Sequence, residues 1–332
     1  MALGMAASFT LAEALDWELS FLVPVLVVQM LAAMPAPPSL RQGVLIVLQF
    51  GATAGSAVIV SRLLADMPVP FTLVLGLVFF GAFYLQARAQ GGLLATLLLL
   101  SFSLVPVVSV QAPDIATAAA WYVFRSGLAA ILWVWLMFAL FPPPAPPRRA
   151  AAATPAAPLE PAAAVRLALT HTRILLPVLV VALTFAVGGV VLIVLTLAAL
   201  LGQHSVTRGQ RAALGLFLGN MIGGATAIAA YGVLQAAPTL GVLACLLLLV
   251  GLVYGFAIAG ATSRAPILIV ALATFIIVFG MGVAPFLDEP GASLASRLVN
   301  LGLACAYALL ALTATDLQTR GAARQANLNA AT

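Results

Sequence analysis

Charge is what this sequence has least of. Only 7% of its 332 residues are charged and 64% are hydrophobic, where an average soluble domain carries about 25% charged residues. So thin a polar coat cannot cover the apolar surface of a water-soluble core. This excludes a soluble enzyme, a nucleic-acid binder and a disordered chain, and leaves lipid as the solvent. Lysine is missing altogether: all 14 basic residues are Arg. They are scattered over the loops between apolar runs, so the pI of 9.9 is not a nucleic-acid footprint.

Metal and redox chemistry are as poorly supplied. Cys245 and Cys305 sit singly in apolar runs and His171 and His204 in polar segments, with no CxxC or Cys/His spacing for a metal. No HExxH, GxSxG or Walker A motif is present, and Asp288-Glu289-Pro290 reads as a turn. No metal, cofactor or enzymatic activity is expected. The first residues lack a basic n-region, so no cleavable signal peptide is expected either.

What the chain does have is apolar runs of membrane-crossing length, about 20 residues each. They cover 43–64, 69–87, 91–111, 119–141, 211–234, 238–260, 265–287 and 295–315. Shorter runs come in pairs, 2–16 with 19–34 and 173–187 with 189–201, the second pair broken at Gly188-Gly189. Charge chooses how to count them, because short cytoplasmic loops are rich in Arg. With every run a span, one side carries Asp16, Glu18, Asp66, Asp114, Asp288 and Glu289. The other carries Arg41, Arg88, Arg148, Arg149, Arg166, Arg173, Arg208, Arg211, Arg264, Arg320 and Arg324. Merging 173–201 into one span would invert everything after it. The expectation is therefore an all-α polytopic membrane protein of about 12 transmembrane helices, or 11 if 2–16 does not cross, with both termini cytoplasmic in a bacterial inner membrane.

Pro is dense over 141–161, where it stops a helix and favours extended conformations. This divides the chain into a six-helix repeat at 1–141, a Pro/Ala-rich cytoplasmic linker at 142–172, a second six-helix repeat at 173–316 and a cytoplasmic tail at 317–332. A shift of 168 residues lays Gly51 on Gly219, Gly55 on Gly223 and Pro70 on Pro238; with small gaps, Pro106 meets Pro285 and Arg125 meets Arg297. An even number of spans per half makes the repeats parallel, related by an axis along the membrane normal.

Gly51 and Gly55, and Gly215, Gly219 and Gly223, form small-xxx-small faces suited to close helix packing. If their helices line a pathway, Thr53, Asn220 and Thr226 supply polar contacts there, with Asn300 a further amide within the membrane. Arg125 and Arg297 each stand at the outer start of the last span of their half, against the charge trend and against the helix dipole. Either they snorkel or pair with Asp114, Asp288 or Glu289, or they bind an anion, one per half. Arg62 and Asp66 fit an i,i+4 pair on one helix. Glu13 and Asp16 at the membrane boundary are the candidates for proton coupling, with a solvated outer loop as the plainer reading.

Two six-span halves, GATAG and GNMIGG in the third spans, an Arg opening each sixth span and a WELSFLVPVL segment opening the second resemble the FUSC-like proteins, the fusaric acid resistance or aromatic acid exporter membrane family. The likeness is to short members without large cytoplasmic domains. The usual Gly-Thr is Gly51-Ala52-Thr53 here and is replaced by Gly219-Asn220 in the second half. The resemblance implies an inner-membrane exporter of small amphipathic organic anions such as aromatic carboxylates. It also implies a HlyD-type periplasmic adaptor that passes cargo toward an outer-membrane channel. With no nucleotide site, proton or ion coupling is the default, with alternating access between the halves. The rival reading is a non-transport scaffold of an envelope complex. The partners expected are thus the organic anion, the lipid bilayer and the adaptor, with no nucleic acid; whether the chain is a homo-oligomer stays open.

Overall fold

A computed structural model describes residues 1–90, 92–111, 113–142, 158–185, 209–260 and 264–283, with isolated helical positions at Val194, Leu197, Ala198, Leu201, Leu303, Ala306, Tyr307, Leu310 and Ala311. Every element among them is helical. In chain order they are α1 (Ala2–Ala14), α2 (Leu22–Ala33), α3 (Leu40–Leu64), α4 (Pro68–Ala87), α5 (Gly92–Gln111), α6 (Pro113–Leu140), α7 (Pro161–Phe185), α8 (Gly209–Ala236), α9 (Leu240–Gly260) and α10 (Ala265–Val283).

Local chemistry sets the ends. Ser39 and Gln42 close a full capping box at the start of α3, each side chain bonded to the other's backbone N–H,. Pro68 opens α4, where its missing N–H costs nothing,. The indole N–H of Trp135 donates to the Pro38 carbonyl at 2.8 Å and ties the entry of α3 to the far end of α6. Arg88 Nη1 donates to the Leu159 carbonyl at 2.8 Å, and the Leu159 N–H to the Ala87 carbonyl. These bonds fix the end of α4 beside the start of α7.

Six helices among the described residues are long and apolar enough to cross a membrane: α3, α4, α5, the part of α6 from Thr117, α7 to Thr184, and α9. Their outward residues, such as Leu73, Leu77 and Phe256, are 68–77% exposed, as side chains facing lipid would be. The chain is a multi-pass helical membrane protein.

The two expected crossings at 2–16 and 19–34 do not form full spans. α1 and α2 have 13 and 12 residues, so at 1.5 Å per residue they reach about 20 and 18 Å, short of a hydrocarbon core of about 30 Å. They make a hairpin of half-length helices whose inner faces are buried (Met5, Phe9, Val23, Val27 and Val28 are at most 1% exposed). A second correction concerns α7. The expected short helix at 173–187 is a 25-residue helix beginning at Pro161, so the linker placed at 142–172 loses its last twelve positions to it. Ala162, Ala163, Ala164, Leu167 and Leu169 are good helix formers; Arg166, His171 and Arg173 hid them from a hydropathy reading. His171 accordingly lies in a buried face of α7, edge-on to Phe83 with ring centroids 5.2 Å apart, and not in a polar segment.

Packing runs in a recurring order. α3 packs on α5 and α8 on α10; α4 packs on α7 and α9 on α1. The hairpin is wedged between α6 on one side and α9 and α10 on the other. Phe9 meets Phe279 edge to face at 6.1 Å, and Gly280 leaves room for Phe21. α8 approaches α10 backbone to backbone. A Cβ at Gly219 would stand 2.8 Å from the Ile267 carbonyl oxygen, and one at Gly223 would overlap the Ala271 carbonyl.

Candidate functional site at the hairpin tip

The site begins with how α1 stops. The Trp17 N–H bonds to the Ala12 carbonyl and the Asp16 N–H to the Glu13 carbonyl, with Asp16 left-handed at φ 48°. This is a Schellman termination with Asp where Gly is usual. Asp tolerates that conformation because its short side chain is polar and unbranched at Cβ. The Ser20 hydroxyl, fully buried, donates to the Glu13 carboxylate across the turn and staples α1 to α2. Asp16 and Glu13 are thus the turn residue and the staple of this tip.

The termination aims Trp17 at α6. The Arg125 guanidinium carbon lies 4.0 Å from the Trp17 ring centroid and 5.2 Å from that of Tyr122. Glu18 acts on the same guanidinium electrostatically. Arg125 Nε is buried and without a hydrogen-bond partner among the described residues.

Arg125 does not open its helix. α6 starts at Pro113, so Arg125 follows it by twelve residues, about 18 Å at 1.5 Å each. The dipole argument therefore lapses, since that effect fades within the first turn. What replaces it is depth. Gly4 of α1 stands against Met137 and Trp17 against Arg125, so the hairpin runs along α6 from its far end and stops there. Its tip lies eight residues, or about 12 Å, short of Thr117.

A cavity of about 390 Å³ lies directly beneath. One wall is Ser8, Leu11, Ala12 and Leu15 of α1 and its end; the other is Ala129, Leu132, Trp133 and Leu136 of α6, with Trp17 and Val23 closing it. Each wall follows i, i+3, i+4, i+7 spacing, one face of a helix. The gap exists because Ser8, Ala12 and Ala129 are too small to fill it. Arg125 is one turn before Ala129 on the same stripe, so it stands at the tip end of the cavity. Trp17 belongs to both: its ring lines the cavity and carries the guanidinium.

Residues 1–137 are similar to a family described as a protein of unknown function (DUF2955). The matched stretch runs from α1 into the end of α6 and so contains the hairpin, Arg125 and the cavity. No curated protein and no solved structure matches the chain.

The other anticipated site residues lie elsewhere. Thr53 is buried between α3 and α5; its hydroxyl donates to the Gln49 carbonyl at 2.8 Å and accepts from Ser101 at 3.3 Å. Asn220 is buried between α8 and α10 and accepts from the Thr274 hydroxyl at 2.7 Å. Neither lines the cavity. Thr226 pairs with the Tyr254 hydroxyl at 3.0 Å. Gly51 packs against Phe124, Gly215 against Ile267, and Gly55 faces open space. Arg62 donates to Thr117 at 2.7 Å, and α3 ends at Leu64, before Asp66. Arg297 and Asn300 lie outside the described residues. Trp17, Tyr122, Ser20 and Trp133 were missed, though a Trp beside two acids in an otherwise apolar stretch was a signal.

Proposed function

We propose that the chain is an inner-membrane exporter of small amphipathic organic anions, binding the charged head at Arg125 and the apolar body in the cavity below. One observation carries this reading: a guanidinium deep in a membrane helix, with a buried N–H left over, at the end of an apolar cavity. An Arg at such depth is costly and marks a partner or pathway. A carboxylate accepts two parallel bonds from its fork, and the cavity volume is at the small end for ligand sites.

The resemblance to aromatic acid exporters agrees in substrate class, and brings with it the HlyD-type adaptor and a proton or ion gradient as further parts of the proposal. The recurring helix order supports two parallel repeats: a polar pair joins α3 to α5 and another joins α8 to α10, while the first helix of each half (α1, α7) packs on the fourth of the other (α9, α4).

Equilibrium binding of labelled benzoate to the purified chain tests the site. A charge-assisted contact is worth about 1.5–3 kcal/mol, so Arg125→Gln should weaken binding about ten- to a hundredfold, and Arg125→Lys should restore part of it. Unchanged binding by a folded Arg125→Gln protein would place the anion elsewhere.

A further inference from the structure

We propose that the cavity opens sideways into the bilayer and is loaded from the lipid phase, by a small single-tailed carboxylate that has already partitioned there. The leucines of its rim, Leu11, Leu15, Leu132 and Leu136, are 45–55% exposed, on helices whose outer surface is lipid. Its lining offers almost nothing to water: the one hydroxyl, of Ser8, already donates to the Met5 carbonyl at 3.1 Å. A water needs two to four polar partners, so an apolar body fills this space better than water does. None of the described lining residues is charged, and Arg125 stands one turn before Ala129 at one end, so the occupant has one anionic head and one tail lying along α6. A two-chain lipid would leave a chain outside a cavity of about 390 Å³.

The role given to Arg125 rests on the anion-transport reading; the sideways opening does not. Trp133 lines the cavity and reports on it. The full chain is placed in vesicles whose lipid acyl chains are brominated, which quenches tryptophan on contact. Wild type should show a quenched component that is missing in Trp133→Phe, and octanoate should relieve it. Octylamine should not, and octanoate should lose about ten- to a hundredfold in potency in Arg125→Gln. Ala129→Leu, which fills the cavity from α6, should shield Trp133 while leaving its ring in place. If Trp133 makes no quenched component, the cavity is closed to lipid and the proposal is wrong, whatever happens to benzoate binding. If octanoate relieves quenching equally in wild type and Arg125→Gln, the sideways opening stands and Arg125 as the anion receptor falls.

Discussion

Asp16 and Ala89 occupy the same backbone position in two separate turns, at φ 48° and 52°. After α4 the Gln90 N–H bonds to the Leu85 carbonyl and the Ala89 N–H to the Gln86 carbonyl, the Schellman pattern seen after α1. A Cβ in this region costs roughly 1–2 kcal/mol. Ala89→Gly should therefore raise stability by about 1 kcal/mol once the extra freedom of the unfolded chain is subtracted, read as a higher midpoint of thermal aggregation in detergent. Asp16→Gly should also keep its turn. Asp16→Val should not, because a β-branched residue resists this conformation, and it should lose anion affinity by misdirecting Trp17. Wild-type affinity in a folded Asp16→Val protein would show that the turn does not position the site. Trp17→Ala removes a cation–π contact of about 0.5–2 kcal/mol; Trp17→Phe should lose less.

At the scale of elements, apolar length placed most helices within a few residues. The runs at 43–64, 69–87 and 91–111 became Leu40–Leu64, Pro68–Ala87 and Gly92–Gln111, because in lipid the hydropathy signal and the helix are nearly the same thing. What stayed hidden depended on contacts distant in sequence. Nothing local says that Leu22–Ala33 is sheathed by α6 and α10 and need not cross. Nor does the neighbourhood of Trp17 say that its ring meets an Arg more than a hundred residues on. Arg125 itself was legible from charge alone, but its depth was not, because the polar start of α6 before Thr117 lies below any hydropathy threshold. The α8–α10 contact gives a sharp test at this scale. Gly223→Ala forces a Cβ into the Ala271 carbonyl, and should cost about 1–3 kcal/mol as overpacking does. Gly55→Ala, facing open space, should be close to neutral. Equal melting midpoints for the two would contradict the backbone approach.

For the whole molecule, a hairpin at α1 and α2 takes an even number of crossings from the expected topology, so the side expected for each later loop from the Arg distribution is unchanged. The N-terminus and the entry of α3 stay on one side, with Asp16 and Glu18 drawn in at the hairpin tip. Reporter fusions at Arg149 and Arg324 should both read inside; an outside reading at Arg149 would undo this topology. The hairpin touches both parts of the bundle, α6 through Arg125 and Trp17, α10 through Phe9 and Phe279. A ligand at its tip is thus placed to bias how the two parts pack. The most direct test of the account is flux: uptake of labelled benzoate into inside-out vesicles carrying wild type, Arg125→Lys or Arg125→Gln at matched abundance. The account predicts uptake by wild type, a partial rate for Lys, and a rate about ten- to a hundredfold lower for Gln at limiting benzoate. Equal rates for wild type and a folded Arg125→Gln protein would contradict it.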